Sequence, residues 1–294
     1  MIAPPALDIA CRLASALPPG TRHTLAHGLA ALQYRAAAAR REAARANLRA
    51  LAATARPDLA DPAGLDRAAR RMFLSYHLFL LEYLAQRRFA PRALASFVRF
   101  AGTERLYAAL AQGRGAVVSV PHLGNWEIAG LALARIGFRI HVVTGVQFHR
   151  LLSRRARTMK EAARIRVTAA GEGFRPLLST LRAGGLVILL VDGDVFLRAL
   201  PARFFGRVIP FPAGPALLAR RTGAPLLHAH SERTGPDRFL ISFDDVDHAD
   251  PSLPLAADLQ RLTERTAAAQ ERNIAAHVEQ WCVFRPLFRE EDAA

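Results

Sequence analysis

Apolar positions follow two different rhythms along the chain. In the first third, Leu7, Leu13, Leu17, Leu25, Leu29 and Leu32 recur near helical spacing, interrupted at Pro18-Pro19-Gly20. Ala36 to Ala55 is rich in strong helix formers, and Pro57 and Pro62 bracket a turn. Leu65 to Leu84 then predicts an amphipathic helix with Met72, Phe73, Tyr76, Phe79, Leu80 and Tyr83 on a broad apolar face. From Gly113 onward, short β-like runs alternate with helical segments. The predicted strands are 116–120, 139–144, 165–169, 186–191, 225–230 and 239–243. Helices are predicted at 126–135, 151–163, 174–182, 215–221 and 255–278. Such alternation predicts an α/β fold with a largely parallel central sheet flanked by helices. The expected organisation is a helical N-terminal region, residues 1–100, packed on an α/β core, residues 101–294, within a single domain overall.

Composition narrows the classes. With 294 residues and 51% hydrophobic positions the chain can bury a substantial core, which excludes intrinsic disorder. Cys11 and Cys282 are the only cysteines, too few for a disulfide scaffold and in keeping with a reducing compartment. No apolar run approaches the roughly 18 to 20 residues of a spanning helix. The leading segment also lacks the layout of a secretory signal. The formal charge is +15, yet Lys160 is the one lysine among 40 basic residues. A GC-rich coding bias accounts for part of that arginine excess. The other part fits phosphate recognition, because guanidinium pairs bidentately with phosphate. Charge by itself does not choose among nucleic acid, lipid headgroup and carrier protein.

Candidate chemistry concentrates in Ser119-Val120-Pro121-His122-Leu123-Gly124-Asn125-Trp126-Glu127, which follows a predicted strand and enters a predicted helix. Active sites of open α/β sheets gather at strand carboxyl ends. Across the Gly124 turn, the Glu127 carboxylate is expected to fold back onto the His122 imidazole, leaving one ring nitrogen as a general base. The plainer alternative makes His122 a helix cap or a packed loop residue. His228 and His230 alternate on one predicted strand face, but no third ligand completes a metal site. No Walker or dinucleotide fingerprint is present.

Pro121-His122-Leu123-Gly124-Asn125-Trp126-Glu127 resembles the signature of the bacterial lipid A biosynthesis acyltransferases, relatives of the glycerolphosphate acyltransferases with their His-x4-acid motif. Gly113-Arg114-Gly115, Val191-Asp192-Gly193-Asp194, Arg203-Phe204-Phe205-Gly206, Pro212 to Ala219, Thr222-Gly223-Ala224-Pro225 and Glu279-Gln280-Trp281 with Phe284-Arg285 follow in the family's order. Asn47-Leu48 and Glu82 match weaker N-terminal features. The resemblance implies transfer of a fatty acyl group from an acyl carrier protein or coenzyme A thioester to a hydroxyl of a membrane lipid, with no further cofactor and no metal. It implies His122 as the base and Glu127 as its orienting acid. Asn125, Arg154, Arg157, Asp192, Asp194, Phe205, Gly206 and Gly214 are the substrate-binding residues it implies. For Asp192 and Asp194 three roles stay open: binding an acceptor hydroxyl, positioning an arginine, or capping the next element. Arg154 and Arg157 either face acceptor phosphates or lie on a solvated helix face.

The expected acceptor is a lipid A precursor, with phosphatidylinositol mannoside or a lysophospholipid as alternatives. The apolar, proline-interrupted segment 5–32, which carries Arg12 and Arg22 and has Arg35 just beyond it, is expected to lie in an anionic membrane surface on the cytoplasmic face of the inner membrane. A nonenzymatic basic protein that binds membrane or nucleic acid would explain the charge but not the ordered motifs. Nucleic acid is therefore not an expected partner.

Overall fold

The computed structural model describes residues 4–85, 91–145, 157–192 and 198–288. Helices α1 (Pro4–Ala16), α2 (Pro19–Ala36), α3 (Ala38–Ala52) and α4 (Pro62–Leu84) form the N-terminal region. Pro18 and Pro19 separate α1 from α2, since a proline ring is tolerated in a first helical turn but not in a helix interior. Asp61 caps α4, its carboxylate accepting from the Ala63 and Gly64 N–H groups.

The remaining elements run α5 (Pro91–Phe97), β1 (Val98–Ala101), α6 (Thr103–Ala111), β2 (Ala116–Val120), α7 (Trp126–Arg135), β3 (Ile140–Thr144), β4 (Arg166–Ala169), α8 (Arg175–Arg182), β5 (Leu186–Leu190), β6 (Ala199–Phe204), β7 (Arg207–Pro212), α9 (Gly214–Thr222), β8 (Leu226–Gly235), β9 (Arg238–Asp247) and α10 (Leu255–Ala276). Residues 157–162 are also helical, and the rest of the helix expected over 151–163 lies largely outside the described residues.

Seven strands make one sheet in the order β1-β9-β8-β2-β5-β3-β4. All neighbouring pairs are parallel except β8 with β9. Alternate residues of the central strands enter opposite layers. Val118, Leu186 and Leu227 pack with Ile128, Leu131 and Leu106, on the side of α6 and α7. Val117, Val187 and Leu226 pack with Leu177, Leu218 and Leu262, on the side of α8, α9 and α10. A third cluster joins Leu48, Leu51, Met72 and Phe73 of the N-terminal helices to Phe204, Phe205, Phe211 and Trp281. Burying both sheet faces explains why the central strands read as continuous apolar runs.

Two features escape the hydrophobic pattern. Strand β1 is a four-residue edge strand, and β6 pairs with β7 in a separate antiparallel hairpin. Pro201, Pro210 and Pro212 argue against strands there; a two-stranded hairpin tolerates them because each strand keeps an unpaired edge. The arrangement matters most at β2 and β5. They are adjacent and parallel, but the helices that follow them, α7 and α9, lie on opposite sheet faces. A divergence of this kind opens a crevice at the carboxyl ends of the two strands.

Candidate active site

His122 lies two residues past the end of β2, and Asp192 two past the end of β5. Between them they bridge the crevice. The Asp192 Oδ1 accepts from His122 Nδ1 at 2.7 Å, and both Asp192 oxygens accept from the His122 backbone N–H at 3.0 and 2.8 Å. Trp281 Nε1 donates to Oδ2 at 2.7 Å. Asp192 is buried, whereas the His122 side chain keeps 26% of its surface exposed. Burial alone would push the Asp192 carboxyl upward; the adjacent imidazole, the indole N–H and the backbone N–H together hold it below the usual carboxylate range. An ionised Asp192 fixes the proton of the imidazole on Nδ1 and leaves Nε2 with its lone pair outward.

The loop carrying His122 is held from several sides. Gly124 adopts φ 62°, and a Cβ there would sit 2.2 Å from the Ser231 carbonyl oxygen, so only glycine passes this turn beside β8. The C-terminal segment zips onto the same loop. Leu123 bridges to Trp281, the Gly124 N–H donates to the Gln280 carbonyl at 3.1 Å, and the Cys282 N–H to the His122 carbonyl at 2.8 Å. The His122 ring meets the Trp126 ring edge-on at 4.9 Å.

The carboxylate hydrogen-bonded to His122 Nδ1 is that of Asp192, and Glu127 is engaged elsewhere. Its carboxylate is held by Lys160 Nζ, 2.7 Å from each oxygen, with side-chain exposures of 11% and 9%. The reason is helical geometry. As an early residue of α7, Glu127 projects toward the helical residues 157–162, while the parallel pairing of β2 with β5 delivers Asp192 to the imidazole.

Several other expected ligands have structural occupations. Asn125 caps α7, its Oδ1 accepting from the Ile128 N–H, while its Nδ2 donates to Glu82. That side chain is fully buried. Arg157 donates to the Val167 carbonyl and pairs with Glu161 and Glu172. Phe205 and Gly206 form the two-residue turn between β6 and β7, with φ 49° and 77°, as a primed hairpin turn requires. The Phe205 ring is buried against Phe204, Trp281 and Phe288. Gly214 opens α9, and its Cβ position would touch Leu189 at 3.5 Å. Arg154 and Asp194 lie outside the described residues. His228 and His230 are hydrogen-bonded to Asp247 and Asp244, at 2.9 and 3.0 Å.

Beside the crevice, a cavity of about 70 Å³ runs between α7 and the sheet. Pro121, Trp126, Glu127, Lys160 and Thr144 line it near the strand ends. Val118, Val142, Ile188, Leu133, Ile241 and Phe243 line it further in. The walls are overwhelmingly hydrocarbon, which favours an apolar occupant over a polar one.

Motif reading missed Lys160 and the part played by Trp281. Lys160 carried one usable signal, its solitude among 39 arginines. A compact ammonium fits a buried site where a branched guanidinium needs more partners. Trp281 stood out as a motif residue, but nothing local links it to a carboxylate 89 positions away.

Comparison with known proteins places the chain among acyltransferases. Two relatives are phosphatidylinositol mannoside acyltransferases. One, from Mycobacterium tuberculosis, is 33% identical over 189 residues, 63% of this chain and 58% of that protein. The other, from Mycolicibacterium smegmatis, is 31% identical over 187 residues, 62% and 60% of the two chains. The chain thus aligns with less than two thirds of the length of these curated relatives. Residues 7–290 match the family described as bacterial lipid A biosynthesis acyltransferase. With a match over nearly its whole length and the motif histidine seated at a strand-end crevice, the chain belongs to the bacterial lipid A biosynthesis acyltransferase family.

Proposed function

We propose that this protein transfers a fatty acyl group from an acyl carrier protein or coenzyme A thioester to a hydroxyl of a phosphate-bearing membrane glycolipid. The observation that carries this reading is the His122–Asp192 pair beyond the ends of β2 and β5, beside a hydrocarbon-lined cavity whose wall includes Pro121 and Trp126, which flank His122. His122 Nε2 takes the proton of the acceptor hydroxyl, whose oxygen attacks the thioester carbonyl. The tetrahedral intermediate collapses, the C–S bond breaks, and the carrier thiolate leaves and takes up the proton. Asp192 keeps the base in the right tautomer and balances the imidazolium that forms. No enzyme nucleophile is required, because the acceptor brings its own hydroxyl.

The acceptor is either a lipid A precursor, after the family description, or a phosphatidylinositol mannoside, after the curated relatives. Both present phosphates to a chain carrying a +15 charge. The helical N-terminal region suits a bilayer surface. Helix α2 buries Ala26 and Ala30 but exposes Leu25, Leu29 and Leu32, the reverse of a water-facing helix, and α1 exposes Ile9 and Leu13. No acidic residue occurs between Asp8 and Glu42, while Arg12 and Arg35 flank the apolar face. Among the described residues no helix is long and apolar enough to cross a membrane.

The test is an acyl-transfer assay on the purified chain, offering each acceptor with a palmitoyl donor. His122→Ala is expected to cut turnover by about 10² to 10⁴-fold with the fold intact by circular dichroism. A folded His122→Ala that matches the parent rate would overturn the mechanism. Equal indifference of the parent to both glycolipids would overturn the acceptor class.

A further inference from the structure

We infer that Gly130, in the middle of α7, sets which acyl chains this protein accepts. The inference rests on the acyl-transfer reading above and assigns a specificity role within its cavity. Gly130 is buried in a helix interior, where glycine weakens the helix and alanine would strengthen it. Neither usual reason for a buried glycine applies. Its φ is not left-handed, so the backbone does not demand it. No neighbour crowds it either: a Cβ built there finds no heavy atom within 4 Å apart from its own helix and its chain neighbours. Other glycines with such open surroundings, including Gly28, Gly113 and Gly184, face solvent. Among the described residues Gly130 alone is both buried and open, and it lines the cavity. The missing side chain is therefore cavity space.

Its position along the cavity gives the consequence. Trp126, Gly130 and Leu133 follow one face of α7, and all three line the cavity. Trp126 touches the His122 ring, so Gly130 lies about one helical turn further in, roughly 5.4 Å or some four methylenes of extended chain. A side chain at Gly130 would obstruct the cavity below the first few carbons while leaving its head open. Short acyl chains end above that level; long ones must pass it.

The test measures binding rather than turnover and needs no acceptor. Butanoyl-, dodecanoyl- and hexadecanoyl-pantetheine, which share the arm common to both donor types, are titrated calorimetrically into the full chain, Gly130→Ala and Gly130→Leu. The parent is expected to bind longer chains more tightly. In Gly130→Leu the hexadecanoyl compound should lose about tenfold or more in affinity while the butanoyl compound stays within about twofold. Gly130→Ala should shift in the same sense by less and melt at a higher temperature than the parent. If Gly130→Leu does not fold, Gly130→Ala carries the test by itself. Variants that weaken every chain length equally, or none, overturn the role of Gly130 and leave acyl transfer standing. A parent whose affinity ignores chain length overturns both.

Discussion

Asp192 engages both oxygens with groups from distant parts of the chain, and its chemistry sets two measurable outcomes. Asp192→Asn keeps the shape, but its amide N–H₂ facing Nδ1 favours the tautomer with the proton on Nε2, removing the base. Turnover at neutral pH is expected to fall by about 10² to 10⁴-fold while the melting curve stays cooperative. The second outcome concerns acid stability. The folded carboxyl lies below its ordinary value, so as pH falls the unfolded chain takes up this proton first. The stabilisation is therefore present above the ordinary carboxylate value, about 3.9, and is lost as pH drops through the folded one. Urea midpoints measured from pH 5 downward should slope less steeply in Asp192→Asn than in the parent; parallel slopes would contradict the assignment. At this scale the sequence disclosed the histidine but not its partner. Glu127 was the local choice, five positions away across a turn. Only the strand order that sets β5 against β2 brings Asp192 to the imidazole, and strand order is a property of the whole sheet.

Between elements, the tightest polar joint links α4 to β8. Glu82 receives Arg233 bidentately at 2.7 and 2.6 Å, and also accepts from the Asn125 cap of α7 at 2.8 Å. The two charged side chains are only 4% and 6% exposed. Burial alone would lower the Arg233 pKa, but Glu82 beside it raises it overall, so the guanidinium stays charged. Truncation would strand that charge away from water. Glu82→Ala is expected to cost about 3 to 5 kcal/mol in urea unfolding, and Glu82→Gln, which keeps the acceptor oxygen, clearly less. An Ala variant within about 0.5 kcal/mol of the parent would show that the joint is dispensable. Element boundaries were legible wherever one physical signal dominated. The apolar runs of β2 and β5 and the capped start of α4 stand close to where periodicity and turn residues placed them. The β6–β7 hairpin was not, because its prolines speak against strands and its register comes from a Phe-Gly turn at positive φ.

For the molecule as a whole, the inverted pattern of α2 predicts where a bilayer is met. Exposed leucines on a stripe i, i+4, i+7 gain roughly 1.5 to 3 kcal/mol each on full burial in hydrocarbon. The double variant Leu25→Asp with Leu29→Asp should lower co-sedimentation with phosphatidylglycerol vesicles by about tenfold or more, while leaving solution binding of the donor intact. Unchanged sedimentation would move the contact to another surface. Helix positions in this region were readable from sequence, but the outward direction of the leucines was not, since periodicity marks a stripe without saying which side the protein covers. The joining of Asp192 to Trp281 also bears on how the molecule comes into being. A ribosome delivers His122 first, Asp192 next, and Trp281 only after 89 further residues. Until that indole emerges, the carboxylate lacks one of its donors and the loop around His122 lacks its zip of backbone bonds. A nascent chain halted before Trp281 already holds His122 and Asp192, yet the carboxylate is one donor short and the loop untied, so the geometry of the crevice is completed only when that indole is added.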